Sequence, residues 1–374
     1  MTDLLEKVKE LDGDILAFVK GGMNQEDAGT FNRLALRAFD MQYRHIPLYQ
    51  RYCDRRGMTP KEISSWDQVP PLPTDAFKAA DLTLLPSQRV RTFMTSGTNN
   101  PDERGKVSYD AGGLRLMDAT IREAAGAMLF PDRDKAVVLI IAPPPDLAPH
   151  MVMAYGMDRL KQYFGLPQSR FLVGTEGFHV EDLVVALRKS EADEAPTALF
   201  GGSFGFVNFF DFCRKEGLRF QLSPGSRCLD AGGFKGRSRE VEREELLDYF
   251  EEFLGVPRQC CVNLLGMTET ASQFYDKTLR NFHGQRDGGE AKVNPPWTRT
   301  LVVDPDSLAP VPDGETGLLR HFDLANRGHI CAIQTDDVGR MAAGGFEVFG
   351  RAGSGEAGGC SITIDEMTRL LEEE

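Results

Sequence analysis

The chain has 374 residues, 41% hydrophobic and 26% charged, enough apolar side chain for a substantial core and against global disorder. Its 43 basic and 56 acidic side chains leave a net charge of −13, which argues against a nucleic-acid partner and for an ordinary soluble, cytoplasmic protein. Residues 1–20 are charged throughout, so no signal peptide is expected, and no apolar run approaches the ~20 residues of a membrane span.

Apolar residues at helical spacing predict helices over 4–19 (Leu4, Leu5, Val8, Leu11) and 31–55 (Phe31, Leu34, Ala35, Ala38, Phe39). Pro70, Pro71, Pro73 and Pro86 mark an irregular connection carrying Trp66 and Phe77. A helix follows over 112–129. Ala136 to Ile141 is a continuous apolar run, the pattern of a strand buried in a parallel sheet. Helix and strand then alternate: helix near 150–163, strand 171–173, helix 181–189, strand 197–200, helix 204–214, strand 228–230, helix 240–253, strand 260–264. Repetition at intervals of roughly 30 residues is the signature of βαβ units. After about residue 297 the pattern changes to short strands at 301–303, 317–319, 330–333 and 346–348, with turn signals at Pro312-Asp313-Gly314 and Ala343-Gly344-Gly345. The fold class is α/β. The expected division is a body of mostly parallel sheets flanked by helices over 1–296, a small antiparallel sheet or barrel over 297–352, and a Gly-rich tail over 353–374 that ends in a short acidic helix.

Cysteines stand at 53, 213, 228, 260, 261, 331 and 360, an odd number without Cys-x-x-Cys spacing. None of the six histidines lies in a His-Glu-x-x-His arrangement. Reduced thiols are expected, with no zinc site and no disulfide framework.

The chemistry concentrates in a few stretches. Thr95-Ser96-Gly97-Thr98 follows a short apolar run and offers hydroxyls plus a glycine that lets backbone N–H groups approach an anion. It lacks the Walker spacing, and a turn closing a hairpin accounts for it equally well. Gly232-Gly233-Phe234 falls at the carboxyl end of a predicted parallel strand, where open α/β sheets bind ligands, and a flat base could lie there; a plain βα turn is the alternative. Met267-Thr268-Glu269 follows the next strand. Its threonine can donate to a phosphate and its glutamate can hold Mg²⁺, or the pair can simply cap and complement a helix. Gly353 to Gly358 spells Gly-x-Gly-x-x-Gly, but a strand-like Cys360 to Ile364 follows rather than a helix, so it reads as a tether and not a dinucleotide site. Gly201-Gly202-Ser203-Phe204-Gly205 has nucleophile-elbow spacing, and Asp276 with His283, His321 or His329 could complete a hydrolase triad.

Three stretches, in order and spacing, resemble motifs of the acyl-adenylate-forming enzymes, the acyl-CoA synthetase and luciferase superfamily. They are Thr95 to Thr98, Asn263 to Glu269, and Thr335 to Arg340 with Gly350-Arg351. The resemblance implies an adenylate-forming body using ATP and Mg²⁺. Thr95, Ser96, Gly97 and Thr98 would hold the β- and γ-phosphates, and Gly232, Gly233 and Phe234 the adenine. Met267, Thr268 and Glu269 would hold the α-phosphate and the metal, with Thr268 and Glu269 in catalytic roles. Asp337 would take the ribose and Arg351 would also contact the nucleotide. The family has glycine where Asp336 stands, so which carboxylate faces the ribose stays open. Ser203, Phe204, Gly205 and Gly266 would line the acid's site.

The Gly-Arg pair of that superfamily leads into a lid domain bearing a catalytic lysine. Here Arg351 lies 23 residues from the last residue, and Ser354 stands near the usual hinge aspartate, so no lid is expected. A short chain with a cysteine in this place resembles the acyl-protein synthetases of the LuxE type, from the bacterial fatty-acid reductase system. That implies transfer of an activated fatty acyl group to Cys360 and on to a reductase partner. A mixed acyl-phosphate anhydride can acylate a thiolate, and the seven residues 353–359, as a flexible chain, span roughly 15 Å. A coenzyme A ligase, the Ser203 hydrolase and a non-catalytic adenylate-fold subunit are the alternatives.

Overall fold

Pro47 interrupts the apolar stripe that reads as one helix over 31–55. The computed structural model describes residues 2–95, 104–232, 238–286 and 289–352. In it α1 (Thr2–Lys20) and α2 (Ala28–His45) are followed by a separate α3 (Pro47–Arg55). Proline has no N–H to donate and a fixed φ, so it opens a new helix more readily than it continues an old one. Asp27 starts α2 by accepting the Thr30 N–H at 2.8 Å. β1 (Leu72–Pro73) and the one-turn α4 (Ala76–Ala79) occupy the proline-marked connection. β2 (Arg89–Met94) and β3 (Lys106–Asp110) pair antiparallel, with Met94 opposite Lys106. Between them, residues 96–103 lie outside the described residues.

α5 (Ala111–Met128) leads to β4 (Val137–Ile141), α6 (Val152–Phe164) and β5 (Arg170–Phe171). The strand expected at 171–173 is split: β6 (Val173–Gly174) turns back on β7 (Gly177–Phe178). Then come α7 (Val180–Ala192), β8 (Thr197–Gly202), α8 (Ser203–Glu216), β9 (Arg227–Ala231), α9 (Arg243–Leu254) and β10 (Cys261–Leu265). β11 (Phe274–Tyr275) and α10 (Thr278–His283) precede β12 (Thr298–Val303), β13 (Thr316–Asp323), β14 (Ala332–Ala342) and β15 (Gly345–Arg351).

By contacts the chain forms two units, one of residues 1–123, 267–273 and 291 onward, the other of residues 124–266 and 274–290. The second unit holds a six-stranded sheet in the order β11-β10-β9-β8-β4-β5. All its neighbours run parallel except β10 and β11. β4, β8 and β9 are buried along their whole length; β4 is a continuous apolar run, while β9 buries Arg227 and Asp230 as well. Gly202 pairs with Ala231 and Ala231 with Leu264, which sets the carboxyl ends of β8, β9 and β10 side by side.

The first unit holds a five-stranded sheet. β12, β13 and β14 are antiparallel, β1 runs parallel to β14 at Leu72 opposite Ile333, and β15 pairs with the other half of β14. The change of pattern near 297 marks the switch to antiparallel strands, but the first 123 residues group with those strands and not with the parallel sheet. Arg327 shows why. Its side chain is fully buried and grips two carboxylates. Nη1 and Nη2 donate to Asp110 at 2.6 and 2.8 Å, Nη2 also to Asp12 at 2.8 Å, and Nε to the other Asp12 oxygen. Burial works against the charge, yet the two carboxylates hold the guanidinium above its ordinary pKa. One arginine after β13 thus ties α1 and the end of β3 to the C-terminal sheet. Replacing it strands two buried anions. Arg327→Ala is expected to cost about 3–5 kcal/mol, read as a lowered urea midpoint; a midpoint within error of wild type would show that the clamp carries no net stability.

Candidate active site

The stretch 267–273 belongs to the first unit. Met267 to Thr270 forms a turn, with the Thr270 N–H to Met267 O at 3.4 Å. No helix starts there, so the capping role considered for Thr268 does not apply. The Thr268 hydroxyl has no hydrogen-bond partner among the described residues. Glu269 is only 7% exposed. Burial pushes its carboxyl up to about 7; its own backbone N–H and Arg351 work against this, while Asp337 and Asp75 add to it.

The turn is held by residues that sequence reasoning missed. Asn326 donates from Nδ2 to Glu269 O and accepts the Ala271 N–H, both at 2.8 Å. Asp323 accepts the Ser272 N–H and Oγ–H, again at 2.8 Å each, and the Trp297 indole donates to Ser272 Oγ at 3.1 Å. Burial lifts Asp323 to about 6 despite these donors. The only signal in the sequence is a cluster of polar side chains, Asp323, Asn326 and Arg327, inside an otherwise apolar stretch.

Asp337 lies directly opposite Arg351 in the β14–β15 ladder. Arg351 Nε donates to its Oδ1 at 3.3 Å, and its own N–H donates to Thr335 Oγ1 at 3.1 Å. Burial raises its pKa, and Arg351 works the other way. Burial and then Asp75 raise Asp336 as well. At the neck of the β2–β3 hairpin, Thr95 Oγ1 accepts the Gly105 N–H at 2.9 Å, and the Thr95 N–H donates to Gly105 O at the same distance. Ser96, Gly97 and Thr98 lie outside the described residues.

In the second unit, Gly232 follows β9 with φ +73°, a left-handed conformation that glycine adopts without strain. Gly233 and Phe234 lie outside the described residues. Ser203 opens α8 and is 4% exposed. Its hydroxyl sits 2.9 Å from Gly232 O and 3.2 Å from Asp230 Oδ2, with no histidine beside it. Asp276 accepts the Asn263 and Thr278 N–H groups, and His283 stands 3.7 Å from Asp132. His321 and His329, in the first unit, contact Thr300 and Tyr109. The hydrolase triad is not formed. Phe204 lies against Gly202, where a Cβ would come within 2.8 Å of its ring. Gly205 packs on Ile141, 3.0 Å from where its Cβ would be, whereas Gly266 is exposed with open space around it.

The profile of one family, described as acyl-protein synthetase, LuxE, matches residues 11–368. The chain belongs to that family. Two long-chain-fatty-acid–luciferin-component ligases are similar to it. The one from Vibrio harveyi is 21% identical over 84% of this chain and 80% of its own length. The one from Aliivibrio fischeri is 20% identical over 82% and 78%. The fold resembles a 2-hydroxyisobutyryl-CoA ligase captured with 2-HIB-AMP and CoA, at TM-score 0.64 and 15% identity over 87% of this chain and 70% of that one. ATP-bound MatB from Rhodopseudomonas palustris gives TM-score 0.50 at 13% identity over 80% and 52%. The chain is a ligase with the mixed α/β fold of adenylate-forming enzymes, as its motifs imply.

Six cysteines, at 53, 213, 228, 260, 261 and 331, are buried free thiols. Burial pushes Cys53 and Cys213 up to about 12 and Cys260 to about 11, and raises Cys261 and Cys331 too. None of these five offers a ready thiolate near neutral pH. Cys360 lies outside the described residues. Among the described residues no helix is long and apolar enough to cross a membrane.

The family implies a divalent metal, and Glu269 suits one: a buried hard-oxygen donor whose ionised form has little to offset it. Mg²⁺ commonly takes one or two carboxylates and completes its shell with phosphate and water. The same burial sets a stability cost. The folded-state pKa near 7 lies above the ordinary 4.5, so the native state binds the proton more tightly and loses stability as pH rises through that window. Without nucleotide, Glu269→Gln should be more stable than wild type at pH 8, by up to about 3 kcal/mol, and the gap should shrink as pH falls and close below about pH 4.5. A pH-independent gap would refute the assignment.

Proposed function

We propose that the protein activates a fatty acid with ATP and Mg²⁺ and then holds the acyl group as a thioester on Cys360 for a reductase partner. The acid's carboxylate oxygen attacks the α-phosphorus and pyrophosphate leaves, giving acyl-AMP. The Cys360 thiolate then attacks the acyl carbonyl carbon, AMP leaves, and the thiol's proton goes to solvent. We assign the triphosphate to Thr95, Ser96, Gly97 and Thr98, and the α-phosphate to Thr268 with Met267 beside it. The base goes to Gly232, Gly233 and Phe234, the ribose to Asp337 with Arg351 nearby. Glu269 would hold the metal, whose positive charge offsets the charge developing on the phosphates. Phe204, Gly205 and Gly266 are assigned to the acid's site; the Ser203 hydroxyl already has two acceptors. We place the reaction in the cytoplasm.

The observation that carries this reading is a family match over residues 11–368, a range that contains all three motifs and Cys360. The names of the two curated relatives support a long-chain fatty acid. The Thr268 hydroxyl, without a hydrogen-bond partner among the described residues, and the buried Glu269 carboxylate support an anion and a metal beside them, and the burial of the other six cysteines favours Cys360 as acceptor.

Incubation with ATP and tritiated fatty acid should label the wild type and leave Cys360→Ala unlabelled, while acid-dependent ATP–pyrophosphate exchange survives the substitution. Equal labelling of both proteins would remove Cys360 from the role. Discharge of the adenylate by coenzyme A alone would turn the reading towards a coenzyme A ligase.

A further inference from the structure

Residues 266–273 carry neither helix nor strand, yet Thr268, Glu269, Thr270, Ala271 and Ser272 are each at most 9% exposed. A buried backbone outside any helix or sheet must find its hydrogen bonds elsewhere. Here side chains supply them. Asn326 donates from Nδ2 to Glu269 O and accepts the Ala271 N–H at Oδ1, so a single planar amide grips both peptide planes that flank Thr270. Its Nδ2 also donates to Ile330 O at 3.1 Å, which fixes the amide itself. Asp323, the last residue of β13, takes the Ser272 N–H and hydroxyl, and the Ala325 N–H holds that carboxylate at 2.9 Å. Gln273 Nε2 and Thr120 Oγ1 meet Ala271 O at 2.7 and 3.2 Å, and Thr270 Oγ1 meets Ser272 O at 3.2 Å.

The backbone from Glu269 to Ser272 is thus committed to the fold, while the two side chains at its head are not. The Thr268 hydroxyl has no hydrogen-bond partner among the described residues. The Glu269 carboxylate has no ion-pair partner among them, and Arg351 donates to Asp337 instead. A segment that served only to connect β10 with β11 could run over the surface, where water would satisfy its backbone. This one is buried and fixed by side chains from distant positions, with a carboxylate and a hydroxyl left over for a ligand.

We propose that Asn326 and Asp323 are positioning residues for the divalent metal: by fixing the peptide planes of residues 269–272 they hold the Glu269 carboxylate and the Thr268 hydroxyl in place for the metal and its phosphate. This rests on the reading in which Glu269 takes Mg²⁺ and Thr268 a phosphate. Groups that orient a metal's ligands, without touching the metal, commonly change its affinity by about tenfold or more when they are altered.

Titration calorimetry of the full chain with ATP, over a range of Mg²⁺ concentrations and with Mg²⁺ removed by EDTA, tests it. In wild type Mg²⁺ should tighten ATP binding, and Glu269→Gln should abolish most of that gain. Asn326→Asp keeps the shape of the side chain but loses the amide donor to Glu269 O. It should raise the Mg²⁺ concentration for half-maximal tightening about tenfold, leave ATP affinity in EDTA unchanged, and recover wild-type ATP affinity at saturating Mg²⁺. Ser272→Ala removes one bond to Asp323 and should shift the Mg²⁺ dependence the same way, by about threefold, which covers the case that Asn326→Asp folds poorly. An unchanged Mg²⁺ dependence in both variants, or ATP affinity lost equally with and without Mg²⁺, would overturn the proposal. Failure of the underlying reading has a different mark and takes the proposal with it: Glu269→Gln that keeps the full Mg²⁺ effect, or wild type whose ATP affinity ignores Mg²⁺.

Discussion

A carboxylate withdrawn from water must take up a proton or meet a cation, and at Glu269 burial favours the proton, holding it up to about pH 7. Arg351 opposes that rise from a side chain that is 77% exposed, while Asp337 and Asp75 add to it. A residue in that state is costly to keep. It persists because its turn is fixed from outside: Asn326 satisfies the backbone on both sides of it, and Asp323 anchors the next residues through Ser272.

The same short segment that steadies this turn also organises the unit around it. Asp323 and Asn326 reach the Glu269 turn, and Arg327, the next residue, clamps Asp12 and Asp110. Asp323 even caps its own 3-10 turn through the Ala325 N–H at 2.9 Å. Site geometry and the docking of the N-terminal helix are thus neighbours on one piece of chain. Disturbance of either is expected to reach the other, since buried polar networks of this kind fail as groups.

β4 is legible as a run of consecutive apolar residues, whereas β8, β9 and β10 mix apolar with polar or glycine positions and show through their alternation with helices. β14 was only half visible. Its polar members Gln334, Thr335, Asp336 and Asp337 break the apolar pattern, although they sit in a ladder eleven residues long. The break at Pro47 was written in the sequence, but apolar spacing on either side outweighed it. Short motifs marked Glu269 and Asp337 because their neighbours in sequence are their neighbours in chemistry. The residues that hold them in place were not marked: Asn326 lies 57 positions from Glu269, and only the folded chain brings a side-chain amide to that carbonyl. Ser203 has the glycine spacing of a nucleophile, whereas its hydroxyl stands beside the Asp230 carboxylate and the Gly232 carbonyl.

The thiols give the molecule a further property. An acyl-adenylate will react with whatever soft nucleophile reaches it, and a polypeptide that makes such a compound risks decorating itself at random. Here six sulfur atoms are sealed inside the two units, and for five of them ionisation is suppressed as well. Fidelity of self-modification can then come from exclusion: the correct sulfur need not be an exceptional nucleophile if its rivals never meet the electrophile.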